Sequence, residues 1–176
     1  MVPLHHPSGG PPPRAGEEYG PTTRRIGFAP ARLGGYGRWM QDVLSSLFQH
    51  SASTAGVTVR VAVNFMPDQS RTEARRWFWV YHIRIENRRD DVIQLRTRHW
   101  RITDSRGMVS LVDGEGVVGE TPVLVPGQTH DYVSGCELMT NIGSMEGHYT
   151  FVDEDGAPFD VAIPFFPLAA PATTAG

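Results

Sequence analysis

The sequence predicts an all-β protein, a sandwich of two sheets that follows an N-terminal extension. Apolar residues begin to alternate with polar ones at Val57, and seven short strands recur from there at nearly regular spacing, with turn signals between them. The chain has 176 residues, of which 40% are hydrophobic and 20% charged, a composition typical of globular proteins. These patterns favour an immunoglobulin-like or fibronectin type III-like β-sandwich of about seven strands over residues 57–171.

Residues 1–56 are predicted to form a disordered, low-complexity extension, because they are rich in Pro and Gly and poor in aliphatic residues. One short helix is predicted near 38–49, where apolar residues recur with a helical period. Those residues are Trp39, Met40, Val43, Leu44, Leu47 and Phe48. The helix either packs on the domain, or has no function of its own, or docks in a partner's groove or self-associates. His50 to Gly56 is interpreted as a polar linker, and residues 172–176 as a tail.

The first two predicted strands begin at Val57 and at Arg76. Every second residue from Val57 to Val63 is valine, which predicts a half-buried strand. The second strand, 76–86, has a row of large apolar residues on one face: Trp77, Trp79, Tyr81, Ile83 and Ile85. Because Phe78 and Val80 add apolar bulk to its other face, we expect this strand to be central and its aromatic row to be core.

The remaining strands follow charged or glycine-rich turns. In the third strand, 92–103, the apolar residues lie at odd positions from Ile93 to Leu95 and at even positions from Trp100. This change of face predicts a β-bulge near Thr97 or Arg98. A short strand at 108–113 precedes a fifteen-residue connection, 114–128, that has no periodic pattern. Three more strands are predicted at 129–138, 145–152 and 158–165. Asp155-Gly156 predicts a hairpin turn between the last two.

The long connection opens with a G-x-G-x-x-G motif formed by Gly114, Gly116 and Gly119. In dinucleotide-binding proteins this motif runs into a helix whose N-terminal N–H groups hold a pyrophosphate. Pro122 follows too soon for a helix, and Glu115 is one of several acidic residues that oppose a phosphate. We therefore favour glycines that shape the backbone, with phosphate binding through a nest of N–H groups as the alternative.

Other chemistry-bearing residues give weak signals. Asp153-Glu-Asp155 with Asp160 could offer oxygens to Mg²⁺ or Co²⁺, but a charged hairpin tip is the better interpretation. The histidines lack metal-site spacing, although His82 and His99 could meet in space. Cys136 has no catalytic signature and is expected to be buried. His130 and Ser134 are expected on one face of their strand and Asp131 on the other, so the three residues do not indicate a catalytic triad. We therefore expect no catalytic residue, bound metal or cofactor.

Charge and composition narrow the partner class. All sixteen basic residues are Arg, which we attribute to codon composition. Residues 57–176 carry eleven Arg against sixteen acidic residues, a net charge of −5, which disfavours nucleic acid. The sequence shows no secretory signal and no apolar run long enough to span a membrane. With a single cysteine, this indicates a cytoplasmic protein.

Over about residues 57–171, the whole predicted β domain, the chain resembles the ApaG family. The resemblance rests on Gly114-Glu-Gly-Val-Val-Gly119 and on a series of later positions, with Trp77–Ile85 and Trp100 before them. Those later positions are Pro122, Pro126-Gly127, Tyr132, Ser134-Gly135, Gly143, Met145, Gly147, Tyr149, Gly156, Phe159, Ile163-Pro164 and Phe166. The departures are Thr121, where the family usually has Gln, and Asn141, where Pro is common.

The resemblance implies a fibronectin type III-like sandwich without an established enzymatic activity. Bacterial members carry a cobalt–magnesium resistance label derived from genetics, and the eukaryotic domains look like partner-binding modules. We therefore expect a non-catalytic module that binds a protein partner or small ligand near Gly114, Glu115, Gly116 and Gly119. The alternative is a divalent-metal or nucleotide sensor that uses the same loop.

Overall fold

The computed structural model describes residues 47–172. They form nine β-strands and two single turns of 3₁₀-helix, at Pro67–Gln69 and Thr72–Ala74. In chain order the strands are β1 (His50–Thr54), β2 (Val57–Phe65), β3 (Trp77–Asn87), β4 (Ile93–Asp104), β5 (Val109–Glu115), β6 (Val123–Leu124), β7 (Thr129–Leu138), β8 (Ile142–Val152) and β9 (Pro158–Ala169). None of the helical segments in this range could span a membrane.

The strands make two antiparallel sheets that pack face to face. One has the order β1-β2-β3-β7, and the other has the order β5-β4-β8-β9, with β6 paired to the start of β4. The central position predicted for the aromatic strand is confirmed, because β3 pairs with β2 on one side and β7 on the other. Its residues Trp79, Tyr81, Ile83 and Ile85 are buried in the core between the sheets.

Two β-bulges adjust the second sheet. The pairing of β4 with β8 shifts between Leu95 and Thr97, so the predicted bulge exists and its extra residue is Arg96. This shift allows both Leu95 and Trp100 to face the core. A second shift occurs where β8 pairs with β9, between Met145 and Gly147, and the sequence pattern did not reveal it.

The sheet begins earlier than the periodicity predicts. The linker expected at His50 to Gly56 is wrong for most of its length, because residues 50–54 form β1, which pairs with β2 from His50↔Val61 to Thr54↔Val57. The sequence pattern does not reveal β1, because its small, mostly polar residues show no clear alternation of apolar and polar side chains. The predicted helix near 38–49 lies outside the described residues except for Leu47 to Gln49, and Phe48 and Gln49 are not helical.

Candidate functional site

The glycine motif lies at one edge of the second sheet. Strands β5 and β6 both pair with β4 on the side away from β8, and the 116–122 segment connects them. The long connection predicted from Gly114 to Gln128 is therefore shorter, since β5 continues to Glu115 and β6 interrupts the remainder. This edge brings together all four residues of the predicted site: Gly114, Glu115, Gly116 and Gly119.

Arg98 holds the start of this turn. Its Nη1 donates hydrogen bonds to the carbonyl oxygens of Glu115 and Gly116, at 2.8 and 2.9 Å. A Cβ atom on Gly114, its cross-strand partner, would lie 2.8 Å from the guanidinium carbon, so glycine leaves room for the side chain. The sequence alone does not place Arg98 at this loop, because Arg98 approaches the turn only through strand pairing.

The remaining turn is closed by its own backbone. The N–H of Val117 donates to the carbonyl of Glu120 at 2.8 Å, and the N–H of Glu120 donates back to Val117 at 3.0 Å. The residues between them, Val118 and Gly119, both have positive φ, at 52° and 76°. Positive φ is rare for a β-branched residue such as Val118 and marks local strain.

This geometry bears on the pyrophosphate alternative. The N–H of Gly116 donates to the carbonyl of Arg96 at 2.8 Å, so the N–H groups of Gly116, Val117 and Glu120 are all bonded within the protein. The chain continues into strand β6, and no helix follows the motif within the described residues. A phosphate would therefore find few converging donors here.

Exposed apolar side chains are concentrated along this edge. Seven lie between residues 108 and 125: Met108, Val109, Leu111, Val112, Val118, Val123 and Val125. Val112 faces the same side of the sheet as its partner Trp100, which is 3% exposed, yet Val112 itself is 40% exposed. The opposing sheet therefore does not cover the inner face of β5, and this strand is exposed on both faces.

Asn87, the last residue of β3, anchors the other end of the edge. It is 1% exposed, and its Nδ2 donates to the carbonyl oxygens of Asp91 and Leu124, both at 2.9 Å. Its Oδ1 accepts a hydrogen bond from the N–H of Arg89 at 3.0 Å. The side-chain amide thus links β3 to β6. In the sequence, the only signal of this role is a polar residue directly after an apolar strand.

The buried tyrosines near Arg98 have structural roles. The hydroxyl groups of Tyr132 and Tyr149 are hydrogen-bonded to each other. Burial raises the pKa of both well above the ordinary tyrosine value, and burial likewise raises the pKa of Tyr81 to about 12. They therefore stay neutral at physiological pH and join the two sheets through their rings and hydroxyls.

The other candidates do not assemble a catalytic group. Burial raises the pKa of Cys136 to about 12, which keeps the thiol protonated and unreactive. Asp131 points away from His130, as the parity predicts, and its carboxylate bonds His82 at 2.8 Å and Arg84 at 2.9 Å. The buried state predicted for Cys136 and the different faces predicted for His130 and Asp131 are confirmed.

The acidic hairpin tip is explained by its own turn. Asp153 Oδ1 accepts hydrogen bonds from the N–H groups of Asp155 and Ala157, at 3.1 and 2.8 Å, and Gly156 has φ 81°. The predicted hairpin between the last two strands is thus confirmed. His82 and His99 belong to different sheets and bond different carboxylates, so the meeting considered for them does not occur.

Fold and edge together define a fibronectin type III-like β-sandwich with a glycine turn beside an open edge strand. The model of the ApaG domain matches residues 67–153. Protein ApaG of Methylobacterium sp. (strain 4-46) is 46% identical over 122 residues, covering 69% of this chain and 94% of that protein. Protein ApaG of Rhodospirillum centenum is 47% identical over 122 residues, again covering 69% of this chain and 94% of that protein. This chain therefore belongs to the ApaG family.

A solved structure agrees with the fold. The crystal structure of a Bordetella pertussis protein described as ApaA is 44% identical, with a TM-score of 0.64, over 66% of this chain and 95% of the other. The resemblance inferred from the glycine motif and the β-sandwich class predicted from the two-residue period are both confirmed.

Proposed function

We propose that this protein is a non-catalytic binding module that takes an extended segment of a protein partner onto the free edge of β5. The observation that carries the proposal is the exposure of β5 on both faces, with Val109 43%, Leu111 60% and Val112 40% exposed. Within residues 47–172, β5 pairs with β4 alone, so its outward N–H and C=O groups are available to a further strand.

Edge strands usually carry features that prevent such addition, for example lysine, proline or a bulge. β5 has the sequence Val-Ser-Leu-Val-Asp-Gly-Glu, which lacks lysine, proline and a bulge and carries its charged side chains only towards its C-terminal end. The apolar edge would fit a partner strand with apolar side chains opposite Val109 and Leu111. Asp113 and Glu115 at its end favour basic side chains in the same strand.

The glycine turn contributes shape to this surface. In the proposal Glu115 contacts the partner, whereas Gly114, Gly116 and Gly119 hold the turn that ends β5. The domain's net charge of −5 supports a protein rather than a nucleic-acid partner. A cytoplasmic location is part of the same proposal and rests on the single, unpaired cysteine.

An affinity pull-down from the native host with a photoreactive residue at Val112 tests the proposal. We expect a captured protein that cross-links to residues 109–125 and is lost when Leu111→Lys replaces the wild-type bait. Phe165→Lys is the matched control, because Phe165 is a similarly exposed apolar residue, 57%, on β9. Equal capture by the Leu111→Lys bait, or cross-links confined to other strands, would contradict the proposal.

The metal- or nucleotide-sensor alternative is separable from partner binding. Calorimetric titration with ATP, GTP and pyrophosphate, with and without Mg²⁺, measures it directly. We expect no binding at micromolar ligand, because the turn's N–H groups are largely bonded within the protein and Glu115 adds negative charge. Micromolar affinity that disappears in the Gly116→Ala variant, with the fold preserved, would favour the sensor.

A further inference from the structure

Two histidines face each other across strands on the outward surface of the second sheet. His99 in β4 is the register partner of His148 in β8, and their rings stack with centroids 4.9 Å apart and planes inclined by 24°. Their side chains are 31% and 40% exposed, so solutes can reach both rings. Residues directly opposite in an antiparallel pair have Cβ atoms about 4.5–5.5 Å apart. Two imidazoles at this spacing can reach one ion.

A carboxylate fixes the tautomer of one ring. Asp113, opposite His99 on β5, places Oδ1 2.5 Å from His99 Nδ1. A carboxylate only accepts hydrogen bonds, so Nδ1 carries the proton, and in the neutral ring Nε2 keeps its lone pair. This arrangement of carboxylate and imidazole is the one that orients and strengthens histidine ligands at metal centres.

A second carboxylate lies beside the other ring. Asp160 Oδ2 is 4.0 Å from His148 Nε2, and Thr150 Oγ1 donates to Asp160 Oδ1 at 2.7 Å. Arg101, two residues along β4 from His99, already pairs with Glu146 at 2.8 Å. The two histidines therefore lie between two acidic side chains, which would offset the charge of a bound cation.

We propose that His99 and His148 form a binding site for one divalent transition-metal ion of the imidazole-preferring kind, such as Zn²⁺, Ni²⁺ or Cu²⁺. Rotation of the His148 side chain, which has no short hydrogen bond in the stack, directs one of its nitrogens to an ion held at His99 Nε2, while the paired strands keep the backbone in place. Asp113 orients His99 from behind. Among residues 47–172 no three metal-ligating side chains form a ready group, so water fills the other positions.

Calorimetric titration of the full-length protein with Ni²⁺ and Zn²⁺ tests the site. His5→Ala and His6→Ala are included throughout, because this adjacent pair in the extension could bind metal independently. We expect one equivalent to bind, and His99→Gln or His148→Gln to weaken binding at least roughly tenfold. Asp113→Asn should weaken it by about 10–100-fold, as loss of an outer carboxylate does.

A matched control and a spectroscopic readout separate metal ligation from folding. His82→Gln removes a histidine that is also exposed and also bonded to an aspartate, but in the other sheet, and should leave the affinity unchanged. Electron paramagnetic resonance of the Cu²⁺ form should show two nitrogen ligands, falling to one in His148→Gln. Unchanged affinity in both His99→Gln and His148→Gln, or an equal loss in His82→Gln, would overturn the proposal.

Discussion

At the scale of single residues, the turn after β5 depends on where individual side-chain atoms would lie. Gly116 and Gly119 have φ of 58° and 76°, but only Gly116 is crowded: its Cβ would lie 2.2 Å from the carbonyl oxygen of Glu120. Nothing lies within 4 Å of a Cβ on Gly119. The two glycines are therefore needed for different reasons. Gly119 is needed because its φ is positive, whereas Gly116 is needed both for its positive φ and because a side chain there would collide with Glu120.

Gly116→Ala should destabilise the protein more than Gly119→Ala. A left-handed alanine costs roughly 1–2 kcal/mol at either position, and at Gly116 the collision with Glu120 adds to that cost. Urea unfolding with an unchanged m-value measures both losses. Equal losses would show that the turn relaxes around the new methyl group.

At the scale of elements, a buried amide helps to connect the open edge to the other sheet. Asn87 ends β3, and its side chain bonds the carbonyl of Leu124 in β6. β6 itself pairs with β4 through only two residues, Val123 and Leu124. The Asn87 amide thus adds a buried hydrogen bond to the short strand pairing that positions β6.

Asn87→Ala should cost about 2–3 kcal/mol, because it leaves buried carbonyl oxygens without donors. Gln94→Ala is the matched control: its amide also reaches the edge, donating to the carbonyl of Thr121 at 3.2 Å, but it is only partly buried. We expect the control to cost under about 1 kcal/mol. Hydrogen exchange should show faster opening of residues 121–125 in Asn87→Ala alone, and equal exchange in both variants would contradict the role given to Asn87.

At the scale of the whole molecule, stability depends on buried and paired ionisable groups. Burial lowers the pKa of His50 and His130 below the ordinary histidine value. Burial alone would raise the pKa of Asp131, but hydrogen bonds from His82 and Arg84 lower it overall. The two kinds of group act in different pH ranges.

Unfolding free energy should fall in two stages on acidification. The unfolded histidines take up protons below about pH 6.5 while the folded ones resist, so stability falls from there downward. The contribution of Asp131 is present above the unfolded pKa of about 3.9 and is lost as pH falls through its lower folded pKa. His130→Gln should reduce the upper stage in denaturant titrations from pH 8 to 5, and His50→Gln should reduce what remains. An unchanged upper stage in His130→Gln would contradict the assignment to burial.

The domain boundary also belongs to this scale. Phe48 packs on His82, with ring centroids 5.1 Å apart, and β1 pairs along its length with β2. Deletion of residues 1–46 should leave a cooperatively folding domain, whereas deletion of 1–56, the boundary read from the sequence, should destabilise it by removing β1. Circular dichroism and thermal unfolding of both truncations test this, and equal stability of the two would restore the boundary at Val57.

The sequence by itself determined the fold class, the family, the central aromatic strand and the last hairpin. These depend on periodicity and turn chemistry, which act between neighbours along the chain. Only the tertiary structure decided that Arg98 supports the glycine turn, that β5 extends past the opposing sheet and that His99 meets His148. Each of these depends on strand register and on which strands become edges, and antiparallel pairing sets both between residues far apart in sequence.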